Sequence, residues 1–151
     1  MGEAGETPDA TTWWFDRCLG NALPEAIAAL GVRVKRYIET FPDDPTVDDV
    51  EWIPKITSLG WVIVTKDKNI RKDAVEREVL IAARARYVCL ASAKLNGEKQ
   101  IETMTRHWGT IDSVIRTRKA PILVNVTVPS VSWLDGDAWR EAKHKRLRLP
   151  K

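Results

Sequence analysis

Residues 61–65, Trp61-Val-Ile-Val-Thr65, are apolar up to the last position, and four of the five are β-branched. A stretch of that composition without polar alternation reads as a strand buried on both faces, the kind a parallel sheet contains. Gly60 precedes it, and the charged turn Lys66-Asp-Lys-Asn-Ile-Arg-Lys-Asp73 follows. Towards the N-terminus, a helix begins between Asp48 and Pro54 and ends before Gly60. Pro54 leaves its start open, because proline suits a first turn and disrupts an interior. Before that helix, Val32–Tyr37 reads as a strand leading into the turn-rich Phe41-Pro-Asp-Asp-Pro-Thr46. Leu19, Leu23, Ile27 and Leu30 recur every three or four residues as one helix face, which Gly31 ends. Thr12-Trp-Trp-Phe15 is a first strand.

Towards the C-terminus, Val75, Val79 and Ala83 suggest a helix, and Tyr87–Leu90 a strand. Ile101, Met104, Trp108, Ile111 and Ile115 mark a long amphipathic helix, and Ile122–Val128 a last strand. Strands and helices alternate, so the fold class is α/β: three layers, with a central, mostly parallel sheet of about five strands between helices. One domain covers residues 12–128, after a loose leader (1–11) and before a basic tail (129–151).

The 151 residues, 44% apolar and 30% charged, are enough to close a hydrophobic core. No apolar run approaches the roughly 18 residues of a membrane span. The acidic, polar N-terminus is unlike a secretory signal. Cys18 and Cys89 form no C-x-x-C pair, which excludes a disulfide scaffold or a cysteine-rich zinc site and makes the cytoplasm the expected compartment. Net charge is +3 but uneven: residues 1–75 hold 9 Lys/Arg against 13 Asp/Glu, and residues 76–151 hold 15 against 8. Such a division suits a cation site beside a polyanion-binding surface, and equally a charge dipole without a role.

In a parallel α/β sheet the ligand edge lies beyond the C-terminal ends of the strands. Asp16 follows the first strand and Asp67 the third, while Asp49 and Glu51 open the helix after the second. Carboxylates converging on one rim repel one another unless a cation sits between them. Hard oxygen ligands without His or Cys select Mg²⁺ or Mn²⁺. Taken singly, Asp16 and Asp48 or Asp49 also suit helix caps, and Asp67 suits a turn. Arg17, Lys66, Lys68, Arg71 and Lys72 flank the acids, either as a solvated turn or as cations for a phosphate backbone. The tryptophans fall on strands and helix faces and read as core. His107 and His144 have no catalytic companions, and Cys18 has no base to activate it.

Three of these segments also carry a resemblance. Phe15-Asp-Arg-Cys-Leu-Gly-Asn-Ala-Leu-Pro-Glu resembles the opening of a PIN-like domain, where an aspartate ends the first strand before a Leu-Pro helix. Asp49-Val-Glu-Trp-Ile resembles the second acidic motif, and Trp61-Val-Ile-Val-Thr-Lys-Asp-Lys-Asn-Ile the third. The likeness runs over about residues 13–128 and is nearest to the VapC-type toxins of bacterial toxin–antitoxin pairs. It implies a Mg²⁺-dependent endoribonuclease with Asp16, Asp49 and Asp67 as catalytic metal ligands. It also implies an RNA substrate and an antitoxin partner, with a homodimer compatible and no membrane involved. Many relatives carry a further acid where Asn69 stands, and Asn offers only a neutral carbonyl, so Glu51 and Asn69 are the weaker ligand candidates. The alternatives are an inactive PIN-like binding module and a phosphoryl-accepting α/β domain. The second lacks its expected residues: Asp16-Arg-Cys18 is no Asp-x-Asp, and no lysine follows the last strand. The tail at 140–151 has six basic residues and one acid, suited to RNA or an acidic partner.

Overall fold

The computed structural model describes residues 11–66, 74–91 and 95–136. Its order is β1 (Thr12–Phe15), a 3-10 turn (Arg17–Leu19), α1 (Ala22–Ala28), β2 (Arg33–Arg36), α2 (Tyr37–Thr40), α3 (Asp49–Ser58) and β3 (Val62–Lys66). There follow α4 (Ala74–Ala83), β4 (Arg86–Leu90), α5 (Gly97–Thr117), β5 (Ile122–Val126) and β6 (Val131–Asp135). The strands form one sheet in the order β2-β1-β3-β4-β5-β6. All pairings are parallel except the last, β5 with β6.

Strand alternation builds two cores from the same short sequences, because successive side chains point to opposite faces. Trp13, Phe15, Val62, Val64, Val88 and Leu90 pack on one face with Leu23, Ile27 and Met104 from α1 and α5. Trp14, Ile63, Tyr87, Cys89 and Leu123 pack on the other with Trp52, Ile53, Ile56 and Leu80 from α3 and α4. Both faces are thus covered, which is why Trp61–Val64 shows no polar alternation. The aromatic side chains carry much of this packing: Trp14 lies 4.7 Å from Trp52 and Trp13 lies 4.5 Å from Trp108, centroid to centroid.

Of four features, three depart from the sequence reading and one, the third, fixes a helix start that it left open. The sheet gains a sixth strand, Val131–Asp135, within the segment read as the start of the tail. Thr127 and Ser130 close the connection: the Thr127 N–H donates to the Ser130 carbonyl (2.8 Å) and the Ser130 N–H to Thr127 Oγ1 (3.1 Å). Pro129 therefore sits in a hairpin turn, and Trp133 and Leu134 each reach a core. Second, Leu30 is exposed, since α1 ends at Ala28 and Gly31, at φ +90°, turns the chain. Third, Pro54 lies inside α3, which begins at Asp49. Fourth, α4 buries Glu76, Arg77, Leu80 and Ile81, whereas Val75 is 66% exposed. No helix among the described residues is long and apolar enough to cross a membrane.

Thr103 in α5 is 1% exposed, and its hydroxyl meets no hydrogen-bond partner among the described residues. An unsatisfied buried hydroxyl costs about 1 kcal/mol or more, and valine has the same shape. Thr103→Val is therefore expected to raise stability by about 1 kcal/mol in urea unfolding. A loss would mean that the hydroxyl is satisfied.

Candidate active site

The chain reverses direction across the sheet at β1: β2 lies on one side of it and β3 on the other. Such a switch point opens a crevice beyond the strand ends. Asp16 is the first residue past β1, and its N–H donates to the Val64 carbonyl at 3.0 Å. Phe15 pairs with Val64, so the next residues along the two strands, Asp16 and Thr65, meet side by side. Asp16 is only 1% exposed. Its Oδ1 accepts from the Arg17 N–H (2.7 Å), and its Oδ2 accepts from the hydroxyl of the buried Thr65 (3.0 Å) and from the Cys18 thiol (3.5 Å). Asp16 does cap a 3-10 turn, as one sequence reading allowed, while its second oxygen also receives the Thr65 hydroxyl from outside that turn.

Asp49 is half-buried in the first turn of α3, and Glu51 next to it is exposed. Asp48, at the N-cap position, makes no side-chain capping bond. Glu76, in the first turn of α4, was not anticipated, and it is buried beside Arg77. An acid opening the helix after β3 was the available signal, but the Val75, Val79, Ala83 spacing pointed to another face. Tyr87, in β4, is buried. Burial first, then the negative charges of Cys89, Glu76, Asp49 and Asp16, push its hydroxyl well above the usual tyrosine value of 10.

Among the described residues no group of three or more His, Cys, Asp or Glu is arranged to hold a metal ion. Asp67 and Asn69 lie outside the described residues, as do Lys68, Arg71 and Lys72. Lys66 closes β3 at the same rim. Arg17 is 40% exposed and bends back over Tyr37, its guanidinium carbon 4.7 Å from the ring centroid. His107 is structural, its Nε2 2.9 Å from the Val128 carbonyl. Next to Asp16 opens a cleft of about 540 Å³, whose lining includes Arg17, Asn21, Arg36, Tyr37 and Asp43.

Thr65 is the donor that keeps a buried carboxylate solvated from within. Thr65→Val should cost about 2 kcal/mol in denaturant unfolding, the worth of a hydrogen bond to a charged group, and Thr65→Ser should recover most of it. Equal stability for valine and serine would show that the hydroxyl does not support Asp16.

The model of the PIN like domain matches residues 12–92. A Mycobacterium tuberculosis (strain ATCC 25618 / H37Rv) protein named "Putative ribonuclease VapC45" is 28% identical over 111 residues, which cover 72% of this chain and 78% of that protein. No solved structure matches the chain at a significant level. The matched region spans more than half of the chain, from β1 to just past β4, and includes the buried Asp16 and its Thr65 partner; the chain belongs to the PIN-like domain family.

Proposed function

We propose that the chain is a metal-dependent endoribonuclease, the toxin of a toxin–antitoxin pair. The observation that carries this reading is the buried Asp16 carboxylate at the sheet's switch point, beside an open cleft and the Arg17 guanidinium. Burying a carboxylate is costly, and the fold maintains it with an amide, a hydroxyl and a thiol rather than replacing it by an apolar residue. The name of the Mycobacterium tuberculosis relative agrees with that use.

The donors at this rim are oxygens, which fit Mg²⁺ or Mn²⁺. In this reading Asp16, Asp49 and Asp67 are the ligands, and Glu51 and Asn69 are the weaker ones. A divalent cation held there supplies positive charge to the scissile phosphate of RNA and to the water that attacks it. The remaining work belongs to the chain. Thr65 and the Arg17 N–H fix the Asp16 carboxylate, so its orientation is set before substrate arrives. In the same reading Arg17, Lys66, Lys68, Arg71 and Lys72 are the cations that neutralise the phosphates of the bound RNA. The basic residues from Arg140 onward extend the same function to RNA or to an acidic antitoxin.

The test is cleavage of a mixed RNA pool with Mg²⁺ or Mn²⁺, with EDTA as control. Asp16→Asn removes one negative charge, and Thr65 can accept from the introduced amide, so the fold is retained. Cleavage should fall on the order of 100-fold for that variant. Cleavage that survives both EDTA and Asp16→Asn would place the chemistry elsewhere. A wild type that neither cuts RNA nor binds Mn²⁺ would favour the inactive binding module.

A further inference from the structure

We propose that the cleft beside Asp16 is a guanine-selecting subsite for one unpaired nucleotide of the substrate, an inference that rests on the ribonuclease reading above. Its volume of about 540 Å³ is that of a small-molecule site, not of a duplex groove. Besides Asp16, its charged lining consists of two arginines, Arg17 and Arg36, and a carboxylate, Asp43.

Each has a defined setting. Arg17 stands over the Tyr37 ring, its guanidinium carbon 4.7 Å from the centroid, and is 40% exposed, so it offers a cationic surface of the kind unstacked bases settle on. Arg36 is steadied by Asn21 (Nη1 to Oδ1, 3.3 Å) and Glu39 (Nε to Oε1, 3.4 Å). Those two bonds use two of its five N–H donors, and the others are available to a ligand. Asp43, also in the lining, supplies carboxylate acceptors. The loop that carries it is pinned, because the Tyr37 hydroxyl donates to the Asp44 carbonyl (2.8 Å) and accepts from the Val47 N–H (2.9 Å). Thr46 adds two bonds to Asp44 Oδ1, from its hydroxyl (2.7 Å) and its N–H (2.9 Å). Ile38, 58% exposed at the lip, and Phe41 give the base apolar contact.

Guanine matches this set. Its O6 and N7 accept side by side, which suits an arginine fork, and its N1–H and amino group donate side by side, which suits a carboxylate. Adenine presents an amino donor where guanine has O6, and it has no N1–H. Cytosine has adjacent acceptors in N3 and O2 but no ring N–H beside its amino group for the carboxylate, and uracil has neither pair. Because Asp16 lines the same cleft, a base seated there brings the adjoining phosphate to the buried carboxylate.

The test uses short fluorescein-labelled uridine oligoribonucleotides carrying one central guanosine, adenosine or cytidine, or uridine throughout. They are titrated into the full chain in EDTA and read by fluorescence anisotropy. The guanosine strand should bind about tenfold tighter than the others, the size of one bidentate discrimination. Asp43→Ala and Arg36→Ala should each bring it to the level of the other strands, and Asp43→Asn provides a shape-preserving check. Arg17→Ala should weaken all strands by about tenfold without changing their ratio, as loss of a stacking platform does. Lys119→Ala, on the opposite rim before β5, should change each affinity less than about twofold. Equal binding of the four strands, preference for another base, or a guanosine preference that survives both Asp43→Ala and Arg36→Ala would overturn the proposal. RNA cleavage in Mg²⁺ without guanosine preference would remove the subsite and leave the nuclease. Guanosine preference without cleavage would do the reverse.

Discussion

A buried carboxylate next to the first strand is the constraint around which this molecule is arranged. Asp16 is withdrawn from water at the point where β1 meets β3, and a charge there is tolerated only if donors replace the lost hydration. The parallel register provides them. Pairing of Phe15 with Val64 brings Thr65 alongside Asp16, and the 3-10 turn directs the Arg17 N–H back onto the other oxygen. A one-residue slip of either strand would carry its core side chains to the wrong face and take Thr65 from the carboxylate. The hydrophobic alternation that fixes the sheet therefore also fixes the site.

The same economy links the cleft to the core. Trp14 is completely buried, its Nε1 donates to Thr40 Oγ1 at 3.0 Å, and its ring lies 5.8 Å from Tyr37. Tyr37 in turn carries Arg17 on its face and holds the 44–47 loop through its hydroxyl. A packed tryptophan in β1 thus sets both the platform and the wall of the cleft through a single neighbour. Such a site needs little rearrangement to receive a ligand, which lowers the ordering cost of binding.

How much of this was legible in sequence depended on range. The positions of Asp16, just past β1, and of Asp49, opening α3, were legible because each borders an element whose pattern is strong, a tryptophan-rich strand and an apolar-faced helix. The two-sided core was legible in the unbroken Val62–Val64 run and in the doubled tryptophans at 13 and 14. Arg36, Asp43 and Tyr37 were not, since their convergence with Arg17 depends on β2 lying beside β1 and on a turn whose sequence announces only that it bends. Glu76 was hidden by the Val75, Val79, Ala83 spacing, because α4 buries the adjoining face and opens it with an acid and an arginine. β6 was hidden by Pro129, which reads as the end of regular structure and instead occupies a hairpin turn.

The proposed anchoring of a divalent cation by Asp16 at the switch point is tested most directly by a crystal structure of the chain soaked in Mn²⁺, with data collected at the manganese edge. An anomalous peak about 2.1 Å from an Asp16 carboxylate oxygen, weakened in Asp16→Asn crystals, is the predicted result. A manganese peak confined to other residues, or an Asp16 carboxylate without any metal at saturating Mn²⁺, would contradict it.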